Sequence, residues 1–156
     1  MKIPTREQAH RLLDEGYALN PGPWRDHVRF VGEAARAIAQ HHPDLDPEIA
    51  YIMGCMHDIG RREGVTGMRH VIDGYTFLIK QGFEDAARIC LTHSFPLKNT
   101  NAVFGEWDCT PEERRLVDDF IANIEYTDYD RLLQLCDALA LPSGFCLIEK
   151  RFVDVA

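Results

Sequence analysis

A histidine and an aspartate stand side by side in the stretch CMHDIGRREG, residues 55–64. The residues before them, 49–56, are almost entirely apolar, as expected of a buried helix. Placing His57 and Asp58 at the end of such a helix costs free energy unless both side chains find polar partners. Imidazole nitrogens and carboxylate oxygens are ligands that first-row transition metals accept. The pair is therefore interpreted as two adjacent metal ligands.

Further histidines and aspartates lie on the apolar stripes of other predicted helices. His27, for example, shares a helical face with Val31 and Ile38, which follow it at i+4 and i+11. A buried, unpaired carboxylate such as Asp137 is expensive, and a divalent cation removes that penalty. A lone core histidine is usually hydrogen-bonded, but ligand types on the apolar faces of five helices are hard to explain independently. The predicted metal ligands are His27, His57, Asp58, His70, His93 and Asp137.

Six protein ligands are too many for one ion that keeps an open coordination position. They suit two ions bridged by a carboxylate, each with a position left for water or substrate. Asp58 stands next to another ligand in the chain and is placed to reach both ions. We therefore predict that Asp58 is the bridging ligand and a catalytic residue.

Helical periodicity dominates the sequence and strand signals are weak, which predicts an all-α fold. We predict one domain over residues 1–156, with its core at about 25–151 and seven or eight helices. The stretches IGRREGVTG (59–67) and SFPLKNTNAVFGEWDC (94–109) are predicted to be loops. The predicted helices cover about 5–17, 24–41, 46–58, 68–81, 84–93, 111–123, 128–140 and 144–155.

Composition argues against several classes of function. The net charge of −8 argues against general nucleic-acid binding, because proteins that bind the phosphate backbone are usually basic. No apolar run of about 18 residues is present, so no membrane span is expected. Five scattered cysteines without a C-x-x-C pair, and an N-terminal segment unlike a signal peptide, predict reduced thiols and a cytoplasmic protein.

The ordered set His27, His57-Asp58 and Asp137 resembles the H…HD…D signature of the HD-domain superfamily of metal-dependent phosphohydrolases. The motif HDIG is intact, LCDALAL surrounds the last aspartate, and the resemblance runs from about Arg25 to Arg151. It implies the helical bundle of an HD domain. It also implies hydrolysis of a phosphoester or phosphoanhydride, in a nucleotide or a related small phosphate compound.

A second part of the chain, RHVIDGYTFLIKQGFEDAARICLTHS (69–94), is similar to the segment that supplies two further histidines in binuclear HD members. These members include hydrolases of symmetrical dinucleoside tetraphosphates and HD-GYP cyclic-dinucleotide phosphodiesterases. The resemblance implies that one ion is bound by His27, His57, Asp58 and Asp137, and the other by His70, His93 and the bridging Asp58. The spacing from Asp58 to the next histidine is short and no GYP motif is present, so specificity for cyclic dinucleotides is not implied.

Basic side chains near the ligands are candidates for binding a substrate phosphate. Arg61 follows HDIG, where related enzymes often carry a basic residue, and it is predicted to be a catalytic and substrate-binding residue. Arg69 and Lys98 are further predicted substrate-binding residues. Residues 94–110 are expected to form the pocket wall, with aromatic surfaces for a nucleobase from Phe95, Phe104 and Trp107.

Three readings of the site stay open at this point. A metal-dependent phosphohydrolase is favoured, a mixed-valent di-iron HD oxygenase shares the same ligand set, and a non-catalytic nucleotide-binding HD domain is the third. The cofactor is expected to be two divalent or mixed-valent transition-metal ions, of which Fe or Mn is favoured and Ni, Co and Zn are also accepted by such ligands. The expected partner is a small phosphorylated, nucleotide-like substrate, and formation of a homo-oligomer is left open.

Overall fold

A computed structural model describes residues 1–155, apart from the side chains of 151, 152, 154 and 155, and over this range the chain forms eight α-helices. The predicted all-α fold is confirmed, while the predicted single-domain organisation stays a prediction. Ala156, the end of the predicted domain, lies outside the described residues. The α-helices are α1 (Arg6–Leu19), α2 (Trp24–Ala39), α3 (Pro47–Met56), α4 (Arg69–Lys80), α5 (Glu84–Thr92), α6 (Pro111–Asn123), α7 (Asp128–Ala138) and α8 (Ile148–Val155).

Short polar motifs in the sequence determine where several of these helices begin. Thr5, Thr110 and Thr127 each cap a helix, and in each case the residue three positions later completes a capping box. The Asp46 side chain caps α3, with Pro47 in its first turn. These caps satisfy backbone N–H groups that would otherwise have no partner, so the predicted helix starts lie close to the observed ones.

Two predicted segments are corrected by the structure. Residues Ile59–Glu63, predicted as part of a loop, form a 3-10 helix directly after α3. The last predicted helix does not begin at Gly144, because this residue has a φ of 136°, which a helix cannot contain. Instead, β1 (Ala140–Leu141) and β2 (Gly144–Phe145) pair as an antiparallel hairpin before α8. The segment 94–109 contains no helix or strand, as predicted.

Two glycines allow α2 and α3 to pack with their backbones almost in contact. A Cβ atom on Gly54 would lie 2.6 Å from the Cα atom of Gly32. This close approach brings the first half of α2 beside the end of α3. The two helices therefore hold His27 and His57 with their rings 5.3 Å apart.

The glycine of HDIG has a comparable role on the other side of the site. A Cβ atom on Gly60 would lie 2.0 Å from the backbone oxygen of His70 and 2.5 Å from the backbone nitrogen of Gly74. Only a residue without a side chain lets the 3-10 helix cross the first turns of α4 this closely. That crossing places Asp58 next to His70.

Replacing Gly60 with alanine is expected to lower the free energy of unfolding by about 3 kcal/mol, the upper end of the usual cost of overpacking, because the new methyl group meets backbone rather than a movable side chain. Urea denaturation of the variant measures this loss. Gly22→Ala is the control, because its Cβ atom would come no closer than 3.2 Å to a side-chain atom of Trp24. Equal stability of the two variants would show that the crossing tolerates a side chain.

Three clusters of apolar side chains form the core around these crossings. The principal contacts join α2 to α3, α4 to α5 and the 3-10 helix, and α7 to α2. Among the described residues, no helix is both long and apolar enough to cross a membrane. The ends of α3, α5 and α7 and the beginnings of α2 and α4 lie close together as a result, and four buried histidines lie there.

Candidate metal centre

The six predicted ligands come together from five helices at one place in the core. All of the four histidines and Asp58 are buried, and the side chain of Asp137 is 24% exposed. His57 and His93 are the C-caps of their helices, so each imidazole follows a helix end. The positions are His27 in α2, His57 and Asp58 between α3 and the 3-10 helix, His70 in the first turn of α4, His93 after α5, and Asp137 in the last turn of α7.

Asp137 faces two of the histidines. Its Oδ1 atom lies 3.0 Å from Nε2 of His27 and 3.8 Å from Nε2 of His57. Donor atoms about 2.1 Å from one first-row ion lie about 3.0–3.5 Å from each other, so these spacings are close to those of a shared ion. The three side chains therefore form one half of a candidate metal centre.

Asp58 faces the other two histidines. Its Oδ1 atom lies 3.2 Å from Nε2 of His70 and 3.6 Å from Nε2 of His93. The ring of His57 lies 4.9 Å from that of His93 and so joins this group to the first. Three sets of three ligand atoms, each within 4.8 Å of one another, can be drawn from the cluster, and Asp58, His57 and His93 each belong to two of them, Asp58 being the carboxylate among these three. This position between the two groups is what a bridging carboxylate requires.

Backbone carbonyl groups orient three of the imidazoles. A carbonyl oxygen can only accept a hydrogen bond, so each Nδ1 atom must carry the proton and donate it. In the neutral ring this leaves the lone pair on Nε2, the atom that faces the cluster. The contacts are His57 Nδ1 to Gly54 O at 2.7 Å, His70 Nδ1 to Gly67 O at 2.6 Å, and His93 Nδ1 to Ile89 O at 3.1 Å.

Two buried atoms at the centre of the cluster lack a hydrogen-bond partner. They are Nε2 of His57 and Oδ1 of Asp58, both of them acceptors. Leaving such atoms buried and unsatisfied is costly, and a cation bound by both removes the cost. The donor set therefore fits one or more transition-metal ions.

Burial and nearby charges set the protonation of the histidines. Burial lowers the pKa of His70, and it lowers the pKa of His93 to about 4, with the charge of His57 adding to the effect. Both rings are therefore neutral ligands at neutral pH. Burial also lowers the pKa of His57, but Asp137 and Asp58 raise it by more. A cation bound at Nε2 of His57 would interact favourably with the same two carboxylates.

The two carboxylates remain ionised although they are enclosed. Burial raises the pKa of Asp58, but the neighbouring imidazoles of His70 and His57 outweigh it and hold this pKa well below its usual range. Burial likewise raises the pKa of Asp137, and the neighbouring imidazoles of His27 and His57 lower it by more. Ionised oxygens are the form in which carboxylates bind metals.

A buried aspartate outside the ligand set ties α5 to α7. Asp130 is fully buried and accepts hydrogen bonds from the guanidinium of Arg88 and from the hydroxyls of Thr92 and Thr127. Thr92 directly precedes His93, so this network fixes the helix end that carries a predicted ligand. Sequence reasoning missed Arg88 and Thr92, although the motif T-x-x-D at 127–130 signals a capping box that Asp130 completes.

A cavity of about 650 Å³ opens next to the cluster. Arg61 lines it, with Nε 3.4 Å from Oδ2 of Asp58 and Nη1 donating to the Thr66 carbonyl at 2.7 Å. Of the predicted substrate-binding residues, the structure thus places Arg61 at the cavity. Asp58 also lines its wall.

The other two predicted substrate-binding residues lie elsewhere. The guanidinium of Arg69 forms a two-pronged ion pair with Glu113, at 3.1 and 3.2 Å. The ammonium group of Lys98 donates to the carbonyl of Ile124. Neither side chain lines the cavity. Long basic side chains can donate to any acceptor that the fold places within their range. The position of such a residue in the sequence does not identify that acceptor.

The predicted aromatic wall is present only in part. Phe104 lines the cavity, as do other residues between 94 and 104. Phe95 is buried in the core, and the half-buried Trp107 stacks on its ring with centroids 6.0 Å apart. Trp24, which was not predicted to line the site, contributes to the wall instead.

The chain was also compared with known proteins. The family model of the HD domain matches residues 24–141, which is more than half of the chain. This range begins at the first residue of α2 and ends in β1, so it contains all six clustered side chains. Neither the curated proteins nor the solved structures gave a significant match.

Proposed function

This chain belongs to the HD-domain superfamily of metal-dependent phosphohydrolases, and from that premise we propose that it hydrolyses a phosphoester or phosphoanhydride bond of a small phosphorylated compound at a two-metal centre. The observation that carries the proposal is the cluster of six enclosed nitrogen and oxygen ligands beside a cavity. Its two central acceptor atoms lack a hydrogen-bond partner. A structural core gains nothing from such atoms unless a cation binds them.

The proposed ligand sets follow the two halves of the cluster. His27 and His57, which Asp137 faces, would hold one ion together with Asp137 and Asp58. Asp58 would also hold the other ion with His70 and His93. When bound, the ions would supply Lewis acidity that neutralises phosphate charge and acidifies water. The carbonyl groups behind three of the imidazoles keep the ligand nitrogens aimed inward before any ion arrives, so that binding requires little reorganisation.

Arg61 is proposed to hold the substrate phosphate. Its contacts with Asp58 and with the Thr66 carbonyl use Nε and one N–H of Nη1, and they fix the guanidinium at the cavity wall. The Nη2 group has no hydrogen-bond partner among the described residues and is left for a phosphate oxygen. Donors held in place in this way stabilise charge that develops in the transition state.

Arg61→Ala is expected to lower kcat/KM for phosphate release by about a hundredfold, because it removes a fixed donor from the transition state. Metal content should stay that of the wild type, since Arg61 is not a proposed ligand. Arg69→Ala is the matched control and should change kcat/KM by less than about threefold, because its guanidinium pairs with Glu113 outside the cavity. Similar losses in both variants would contradict this assignment.

Elemental mass spectrometry of protein purified without oxygen is expected to give about two transition-metal ions per chain. The same preparation should release phosphate from phosphate esters, and a chelator should abolish the release. One ion per chain would reduce the site to a mononuclear centre. Iron-dependent oxygen consumption without phosphate release would favour the oxygenase, and failure to bind metal after reconstitution would favour a non-catalytic binding domain.

A further inference from the structure

The wall of the cavity beyond the metal centre is mainly apolar. Trp24 and Met68 contribute buried side chains to it. Val65 and Phe104 also line it, although they are 97% and 83% exposed. Large apolar side chains held in contact with water beside a cavity are typical of a surface that a ligand covers.

Basic side chains are scarce in the cavity. Arg61 is the one lysine or arginine that lines it among the residues that the structure describes. Its guanidinium already contacts Asp58 and the Thr66 carbonyl, so one face of the side chain remains for an anion. A polyphosphate chain carries several negative charges along its length and is usually met by several basic groups. The cavity offers a basic side chain for a single phosphate.

Side-chain amide groups for a nucleoside are also few. Asn20 and Gln134 line the cavity, but Asn20 Nδ2 donates to the Arg61 carbonyl at 2.7 Å. Gln134 donates to the Thr92 carbonyl at 3.0 Å and accepts from Arg131 at 3.2 Å. A site that recognises a nucleobase or a sugar needs fixed hydrogen-bond donors and acceptors for the polar groups of that base or sugar. Here the amides are used mainly within the protein.

We propose that the substrate is a phosphate monoester whose alcohol part is bulky and apolar, and this inference rests on the proposed phosphohydrolase function. The phosphate would lie at Arg61 and the metal centre, and the apolar group against Trp24, Val65 and Phe104. Hydrolysis breaks the bond between phosphorus and the ester oxygen and forms a bond from phosphorus to the oxygen of water. The alcohol leaves with a proton from that water, and inorganic phosphate is the second product.

The test compares phosphonates that bind without being hydrolysed, by isothermal titration of the metal-loaded protein. The probes are methylphosphonate, naphthylmethylphosphonate and the phosphonate analogue of adenosine monophosphate. We expect naphthylmethylphosphonate to bind at least about tenfold more tightly than each of the others, because it buries a large apolar area. Equal affinity for the naphthyl and methyl probes, or tighter binding of the adenosine analogue, would overturn the proposal.

Variants at exposed positions locate the contact without threatening the fold. Phe104→Ala should weaken naphthylmethylphosphonate about fivefold and leave methylphosphonate unchanged, because it removes apolar contact area alone. Leu116→Ala is the matched control, since Leu116 is exposed and lies outside the cavity. Equal affinity of both variants for the naphthyl probe would show that the apolar group binds elsewhere and would overturn the proposal.

Failure of the inference is distinguishable from failure of the proposed function. The second measurement is release of phosphate from naphthyl phosphate and from adenosine triphosphate by the same metal-loaded protein. Faster turnover of the triphosphate, with tighter binding of the adenosine analogue, would overturn the substrate class while leaving phosphohydrolysis intact. Naphthyl preference in binding, with no phosphate released from any ester, would support the apolar ligand and refute the hydrolase.

Discussion

Asp58→Ala is expected to remove both ions and to lower phosphate release by at least about a thousandfold, which corresponds to about 4 kcal/mol of transition-state stabilisation. The physical reason is the position of the carboxylate between the two histidine groups. Its Oδ1 atom faces His70 and His93, and it also forms a ligand set with His27 and His57. No other side chain of the cluster belongs to both proposed ion sites.

The measurement is metal content by elemental mass spectrometry, together with phosphate release from the same preparation. Asp58→Ala should retain less than about half an ion per chain under conditions in which the wild type holds about two. The variant is expected to fold, because the Asp58 side chain makes no capping hydrogen bond to the 3-10 helix. Circular dichroism of the variant checks this. Wild-type metal content and turnover would refute the bridging assignment.

His70→Ala is the matched control for this prediction. His70 contacts Asp58 but belongs to the second proposed ion site alone, so its loss should leave about one ion per chain. The contrast between no ion and one ion distinguishes a bridging ligand from a terminal one. Two ions retained in His70→Ala would contradict the proposed division of the ligands.

The clustering of the candidate site residues was predictable because they are polar residues at helix positions where apolar residues are expected. His27, His57 and Asp137 stand on stripes that are otherwise apolar, and polar residues on such stripes need partners inside the protein. Helical periodicity then indicates that these stripes face one core. The sequence contains this information at short range, since the face of a helix is set by residues within a few turns of each other.

Other features depend on contacts that no short stretch of sequence contains. The bidentate ion pair between Arg69 and Glu113, for example, joins residues from α4 and α6. Whether Phe95 or Phe104 faces the cavity depends on the path of the irregular segment 94–109. This segment has no helical or strand periodicity from which the orientation of a side chain could be predicted. The hairpin at 140–145 was missed because both of its strands are only two residues long. Sequence reasoning thus identified the residues that cluster in the core better than the cavity wall around them.

A large stability effect is expected at Asp130, where asparagine should lower the free energy of unfolding by about 3 kcal/mol. The carboxylate is fully buried and accepts from Arg88, Thr92 and Thr127, including the backbone N–H of Thr127 at 2.7 Å. An amide NH₂ group in place of one oxygen would face donors and could not accept from them. The link between α5 and α7 would weaken accordingly.

Asp128→Asn is the matched control, because Asp128 is an exposed acid in the same first turn of α7. It should cost only a few tenths of a kcal/mol through the helix dipole. Urea denaturation of both variants at neutral pH measures the contrast. A loss at Asp130 no larger than that at Asp128 would show that the buried network adds nothing to stability.

The pH dependence of this difference provides an independent check on the charge of Asp130. Burial raises the pKa of Asp130, but hydrogen bonds from Arg88, Thr127 and Thr92 lower it by more, to below its usual 3.8. A carboxyl group with a lowered pKa in the folded state stabilises the fold fully above its unfolded pKa, and this contribution is lost as the pH falls through the folded pKa. The gap between wild type and Asp130→Asn should therefore be constant above about pH 5 and narrow below about pH 4. A gap that does not change with pH would indicate that the loss comes from altered packing rather than from the ionised carboxylate.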